Sequence, residues 1–140
     1  MTLSDADRET LKKYRIELAH EAIQDAELLI DNNKLRVAVN RIYYGMFYIL
    51  NALALTFEFK TSKHHGLIAW FNKTFIKEGK INRKYGEIVR KAFKDRSKGD
   101  YTDFVIFEKP DVEKMFEEMK DFISTIEEYI RKDGTQIIDS

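Results

Sequence analysis

A chain of 140 residues with zero formal net charge, one proline, six glycines and no cysteine is sized for a single domain of residues 1–140. The missing cysteines exclude disulfides, thiol catalysis and cysteine-based zinc sites, and the balanced charge removes the overall positive field that marks many nucleic-acid binders. Hydrophobic residues at 44% and charged residues at 34% supply both a core and a solvated surface, while the scarcity of glycine and proline argues against strands joined by tight turns.

The first helix is predicted from about Ser4 to Asp31. Ser4 suits the N-cap, and Asp5 and Asp7 sit where the helix dipole favours negative charge. Leu11, Tyr14, Leu18, Ala22, Ala26 and Leu29 form its expected apolar stripe, with Ile23 and Ile30 beside it. Asp31-Asn32-Asn33 closes it. The second helix, Lys34 to Phe57, is apolar over most of its circumference, so it is expected to be buried on more than one side. In so short a chain the additional side points to a subunit interface. Val37 to Phe57 approaches the length of a membrane span, but Asn40, Arg41, Asn51 and three tyrosines make lipid a costly environment for it. A packed central helix is the expectation. The polar start, Met1-Thr2-Leu3-Ser4-Asp5, lacks the pattern of a secretory signal, which with the absent cysteines suggests a cytoplasmic protein.

The third helix is expected to start near Thr61-Ser62, to carry Leu67, Ile68, Trp70, Phe71 and Phe75, and to stop at Gly79. The fourth starts near Asn82, with Tyr85, Ile88, Val89, Ala92, Phe93 and Arg96 on one face, and Ser97-Lys98-Gly99-Asp100 breaks the pattern. Tyr101 to Lys109 reads as a connection. Pro110 suits the first turn of the last helix, whose apolar face runs from Val112 to Ile130. The core should span about residues 5–132, with 133–140 a frayed tail. Short connections between long helices favour antiparallel neighbours, so the predicted fold is an all-α, up-and-down antiparallel bundle of four to five helices.

Three clusters could carry chemistry. On the central helix Asn40, Tyr44, Tyr48 and Asn51 share a face, and Arg41 lies beside it. Arg41 is either a structural cation with its charge paired or extended to the helix end, or part of an anion pocket with tyrosine hydroxyls. Arg96 to Tyr101 is either a phosphate-binding turn or a structural ion pair of Arg96 with Asp100, closed by Tyr101. At Lys63-His64-His65-Gly66 the adjacent histidines point apart and His20 is remote in sequence, so no metal site is expected. Lys63 beside free N–H groups at a helix start is a better anion site. Glu113, Glu117, Glu118, Glu127 and Glu128 read as a solvated face. Lys60 to Arg96 is rich in lysine and arginine, whereas the C-terminal third is acidic. No nucleophile elbow, phosphate-binding glycine loop, dinucleotide fingerprint or zinc-protease motif is present, and no cofactor is implied.

Together, Ala38-Val39-Asn40-Arg41-Ile42-Tyr43-Tyr44-Gly45-Met46-Phe47, Lys63-His64-His65-Gly66 and Phe93-Lys94-Asp95-Arg96-Ser97-Lys98-Gly99-Asp100-Tyr101 resemble the HEPN family (higher eukaryotes and prokaryotes nucleotide-binding), in its small stand-alone prokaryotic branch. The resemblance spans about Leu18 to Ile130. It implies a helical bundle that forms a homodimer, here partly through the 34–57 helix, with polar residues near the interface. It also implies a minimal nucleotidyltransferase partner in toxin–antitoxin-like pairs. Many members are metal-independent ribonucleases that use an arginine followed, after four to six residues, by a histidine. Arg96 matches that arginine, but Tyr101 stands where the histidine would, and no histidine follows it. Tyrosine, with an ordinary pKa of about 10, is a poor base near neutrality. The expectation is therefore a protein that binds a nucleotide or RNA phosphate through Arg41, Tyr44, Lys63, Arg96 and Tyr101, without a membrane partner. The alternatives are a ribonuclease toxin relying on Arg96, with His64 or His65 as substitute only if the fold brings them near, and a structural dimerisation module without ligand.

Overall fold

The computed structural model describes residues 3–61, 63–101 and 105–139, the last six of these by backbone alone. Five helices follow one another as an up-and-down bundle, and no strand occurs among the described residues: α1 (Asp5–Asp31), α2 (Leu35–Thr56), α3 (His64–Phe71), α4 (Arg83–Tyr101) and α5 (Lys109–Asp139). A π-helical turn, Asn72–Ile76, continues α3 directly.

The helix ends follow local chemistry. Ser4 caps α1 by accepting a hydrogen bond from the Asp7 N–H at 3.1 Å. Between α1 and α2 Asn33 takes φ 57°, a conformation asparagine tolerates, and the Lys34 N–H reaches back to the Leu29 carbonyl at 2.8 Å. Ser62 lies outside the described residues; Thr61 accepts from the Lys63 N–H at 3.3 Å, and α3 begins one residue later, at His64. Gly79, at φ 73°, ends the segment after the π turn.

α2 is the centre of the bundle and packs against α1, α3, α4 and α5. Ala38, Val39, Ile42, Tyr43, Met46, Ile49, Leu50 and Leu53 are buried along it. Its face is especially close to its neighbours at Gly45. A Cβ there would stand 2.3 Å from Met119 Cε and 3.2 Å from Ala22 Cβ. That contact explains a departure from the predicted α1 stripe. Tyr14 is 52% exposed, and the buried seam is Ala19, Ala22, Ala26 and Ile30. Small side chains let α1 lie against the glycine, so the seam follows alanines rather than the larger residues.

One predicted break is absent. α4 runs through Ser97-Lys98-Gly99-Asp100 to Tyr101. Gly99 is buried, and a Cβ on it would lie 3.2 Å from Phe107. The Arg36 guanidinium, donating to the Gly99 carbonyl and to the Val105 carbonyl at 2.9 Å, ties the end of α4 to the chain beyond it. This glycine serves close packing rather than termination. In α5 the backbone stays helical past Gly134 to Asp139; one helical glycine costs about 1 kcal/mol relative to alanine, too little to require a stop.

Candidate functional site

α2 and α4 pack together, and their facing polar and aromatic side chains meet in one cluster. Phe93, Arg96 and Asp100 recur at helical spacing on α4, as do Asn40, Tyr43, Tyr44 and Phe47 on α2. The Arg96 guanidinium carbon lies 5.1 Å from the Tyr43 ring centroid, 5.6 Å from that of Tyr44 and 5.6 Å from that of Phe93, within cation–π range. Arg41 lies 5.1 Å from the Tyr44 ring. Two guanidiniums thus share one tyrosine.

A polar chain joins them. Asn40 Oδ1 accepts from Arg41 Nη2 at 3.0 Å and Nε at 3.3 Å, while Asn40 Nδ2 donates to Asp100 Oδ2 at 3.4 Å. The same carboxylate oxygen is 3.5 Å from Arg96 Nη1, a long contact for a charged pair. Arg41 has no ion pair among the described residues, and Arg96 Nε is buried without a hydrogen-bond partner. Asp95, adjacent in sequence, lines a different cleft with Lys91 and Glu118. Two cations against one carboxylate leave the cluster positive.

His64, the first residue of α3, completes the group. Its ring stacks on Phe47 at 3.8 Å with 6° between planes, and Nδ1 is 2.7 Å from the Tyr43 hydroxyl. Burial, and then the Arg96 charge, hold its pKa below the ordinary histidine value. Burial raises the Tyr43 pKa, opposed by Arg96, so that hydroxyl keeps its proton. When Tyr43 donates to Nδ1, the neutral imidazole carries its own proton on Nε2. In that tautomer His64 is a hydrogen-bond donor beside an arginine.

Of the predicted site residues, Arg41, Tyr44 and Arg96 come together. Lys63 is exposed at the start of α3 and has no ion pair among the described residues. Tyr101 is 79% exposed at the end of α4 and does not join the cluster. Asp100, not Tyr101, is the Arg96 partner. Tyr43, read from sequence as apolar core, and His64 are the additional members. The signal for Tyr43 was present, since it falls between Asn40 and Phe47 at helical spacing, and an unbroken α4 places Asp100 one turn after Arg96; the place of His64 is set by how α3 packs against α2. His65 instead lies 5.6 Å from Phe93. Among the described residues no group of three His, Asp or Glu side chains could hold a metal ion, and no helix is long and apolar enough to cross a membrane.

The family model described as HEPN domain matches residues 13–129. The chain belongs to the HEPN family. The HEPN match spans all the elements that build the cluster. A "UPF0332 protein" from Thermotoga maritima is 39% identical over 124 residues, covering 89% of this chain and 94% of that protein. Two proteins named "putative toxin" in Methanocaldococcus jannaschii are also similar. One is 41% identical over 87 residues, 62% of this chain and 65% of its own length. The other is 31% identical over 115 residues, 82% of this chain and 78% of its own length.

Proposed function

We propose that this HEPN protein binds the phosphate of a nucleotide or RNA at the Arg41–Arg96 cluster, acting as a homodimer in a toxin-like system with a nucleotidyltransferase partner. The observation that carries the binding half is Arg41: a half-buried guanidinium, facing Tyr44 beside Arg96, without a counter-ion among the described residues. A phosphate offers both the missing charge and acceptors that match guanidinium geometry. The relatives named as toxins support the toxin-like role. The dimer is supported by the face of α2 that the bundle leaves partly open, on which Tyr44, Phe47 and Tyr48 remain half-buried and Val37 is 50% exposed. The nucleotidyltransferase partner rests on family habit.

Fluorescence anisotropy with a labelled single-stranded RNA, at two salt concentrations, tests the site. Arg41→Ala and Arg96→Ala should each weaken binding about tenfold or more, the order expected for one charged hydrogen-bonded contact of about 1.5–3 kcal/mol. Variants that fold and bind as the wild type does would move the RNA away from this cluster, and a wild type that binds no RNA would leave the structural-module alternative.

A second reading, metal-independent ribonuclease, is favoured by one observation. His64 stands by Arg96 although no histidine follows Arg96 in the chain. Its hydrogen bond to Tyr43 weighs in the other direction where Tyr43 is the donor, because an Nε2–H imidazole donates a hydrogen bond rather than accepting a proton. Phosphate binding is therefore the first reading. RNA cleavage in the presence of a chelator, lost in both Arg96→Ala and His64→Ala, would reverse the order.

A further inference from the structure

A second basic feature lies away from the Arg41–Arg96 cluster. Between the π turn and α4 runs an open groove of about 670 Å³, lined by Lys73, Lys77, Arg83 and Arg90. Glu87 also lines it, 3.8 Å from Arg83. Lys73, Lys77 and Arg90 are exposed and have no ion pair among the described residues. Gly86 brings the two walls close, because a Cβ there would stand 2.5 Å from Asn72 Oδ1 and 3.2 Å from Ile76. The π turn, with the Lys77 N–H bonded to the Asn72 carbonyl at 2.8 Å, is a wide coil of the kind often found at functional positions. The surrounding sequence is polarised: Lys60 to Lys98 holds twelve Lys or Arg against three Asp or Glu, in a chain whose net charge is zero.

We propose that this groove is a separate track for the phosphodiester backbone of single-stranded RNA. The ligand class comes from the arrangement of charge. Arg83 and Arg90 are about 10 Å apart along α4, and Lys73 and Lys77 line the facing wall. Cations spread along a trough suit a repeating polyanion; a single small anion needs them to converge. An acidic protein segment would also want apolar anchors, and the groove offers only Ala69 and Ile76. Arg96 follows Arg90 by about 9 Å along α4 but about a third of a turn around it, facing α2, so the groove and the cluster lie on different faces of the helix. The inference shares its ligand class with the proposed function and rests on that reading, but it uses different residues.

The test is anisotropy of a labelled oligouridylate with the full chain, read against salt. The exposed pair Lys77→Gln/Arg90→Gln should weaken binding about tenfold or more and make the salt slope shallower by about 1.4, the loss of two single-strand phosphate contacts. Wild-type affinity and slope in that variant would overturn the proposal, as would wild-type protein that binds no oligouridylate at low salt. So would a polyglutamate that displaces the RNA at equal charge concentration. Arg96→Ala, run in parallel, separates the two ideas. Loss of binding only in Arg96→Ala sinks the groove and keeps the cluster. Loss only in the groove variant does the reverse.

Discussion

Arg96 and His64 rest against the same Tyr43 ring, 5.1 Å and 5.7 Å from its centroid, and this closeness has a pH signature. Burial comes first and Arg96 second in lowering the His64 pKa below 6.5. Between that lowered value and 6.5 the unfolded chain binds the proton and the folded chain does not, so stability rises with pH across this window and levels off on either side. Denaturant titrations at several pH values should show the rise, and His64→Gln should remove the part due to this group. In Arg96→Gln an NMR titration should find the His64 pKa moved upward but still below 6.5, because burial remains. An unmoved pKa would separate the two groups. At this scale the sequence was only partly legible. Arg41, Tyr44 and Arg96 announced themselves as cations and hydroxyl on helical faces. His64 did not, since its place depends on where α3 starts against α2, and no spacing within one helix encodes that.

Helices were more legible than their boundaries. The Ser4 cap, the all-round apolarity of α2 and the Gly79 stop belong to short-range chemistry and were readable. The continuation of α4 was not, because Gly99 looks like a terminator until Phe107 and Arg36 are seen against it. Arg36→Ala removes the charged tie from α4 to the Val105 carbonyl and should cost about 1.5–3 kcal/mol. Limited proteolysis should then cut faster near the end of α4; an unchanged rate would mean that packing on Phe107 suffices. The α1–α2–α5 contact offers a second check. Gly45→Val should destabilise by about 1–3 kcal/mol through overpacking, seen as a lower urea midpoint with an unchanged slope. A midpoint equal to wild type would mean that Met119 and Ile123 repack freely.

The whole molecule is an electrically neutral bundle with an uneven distribution of charge. Its zero net charge concealed both a positive cluster and a basic groove, which is why composition alone argued against a polyanion ligand. The α2 face that carries Tyr44, Phe47 and Tyr48 adjoins the cluster, so the proposed dimer would bring two clusters near one another. Tyr48→Glu should shift light-scattering mass toward the monomer; a mass of one chain in the wild type at every concentration would remove the dimer. The central claim concerns the two arginines, and side-chain NMR of their Nε–H groups during addition of a short single-stranded RNA tests it most directly. Saturable shifts of both the Arg41 and Arg96 signals, with a salt-dependent midpoint, are the predicted result. Shifts elsewhere in the spectrum with those two signals unmoved would contradict it.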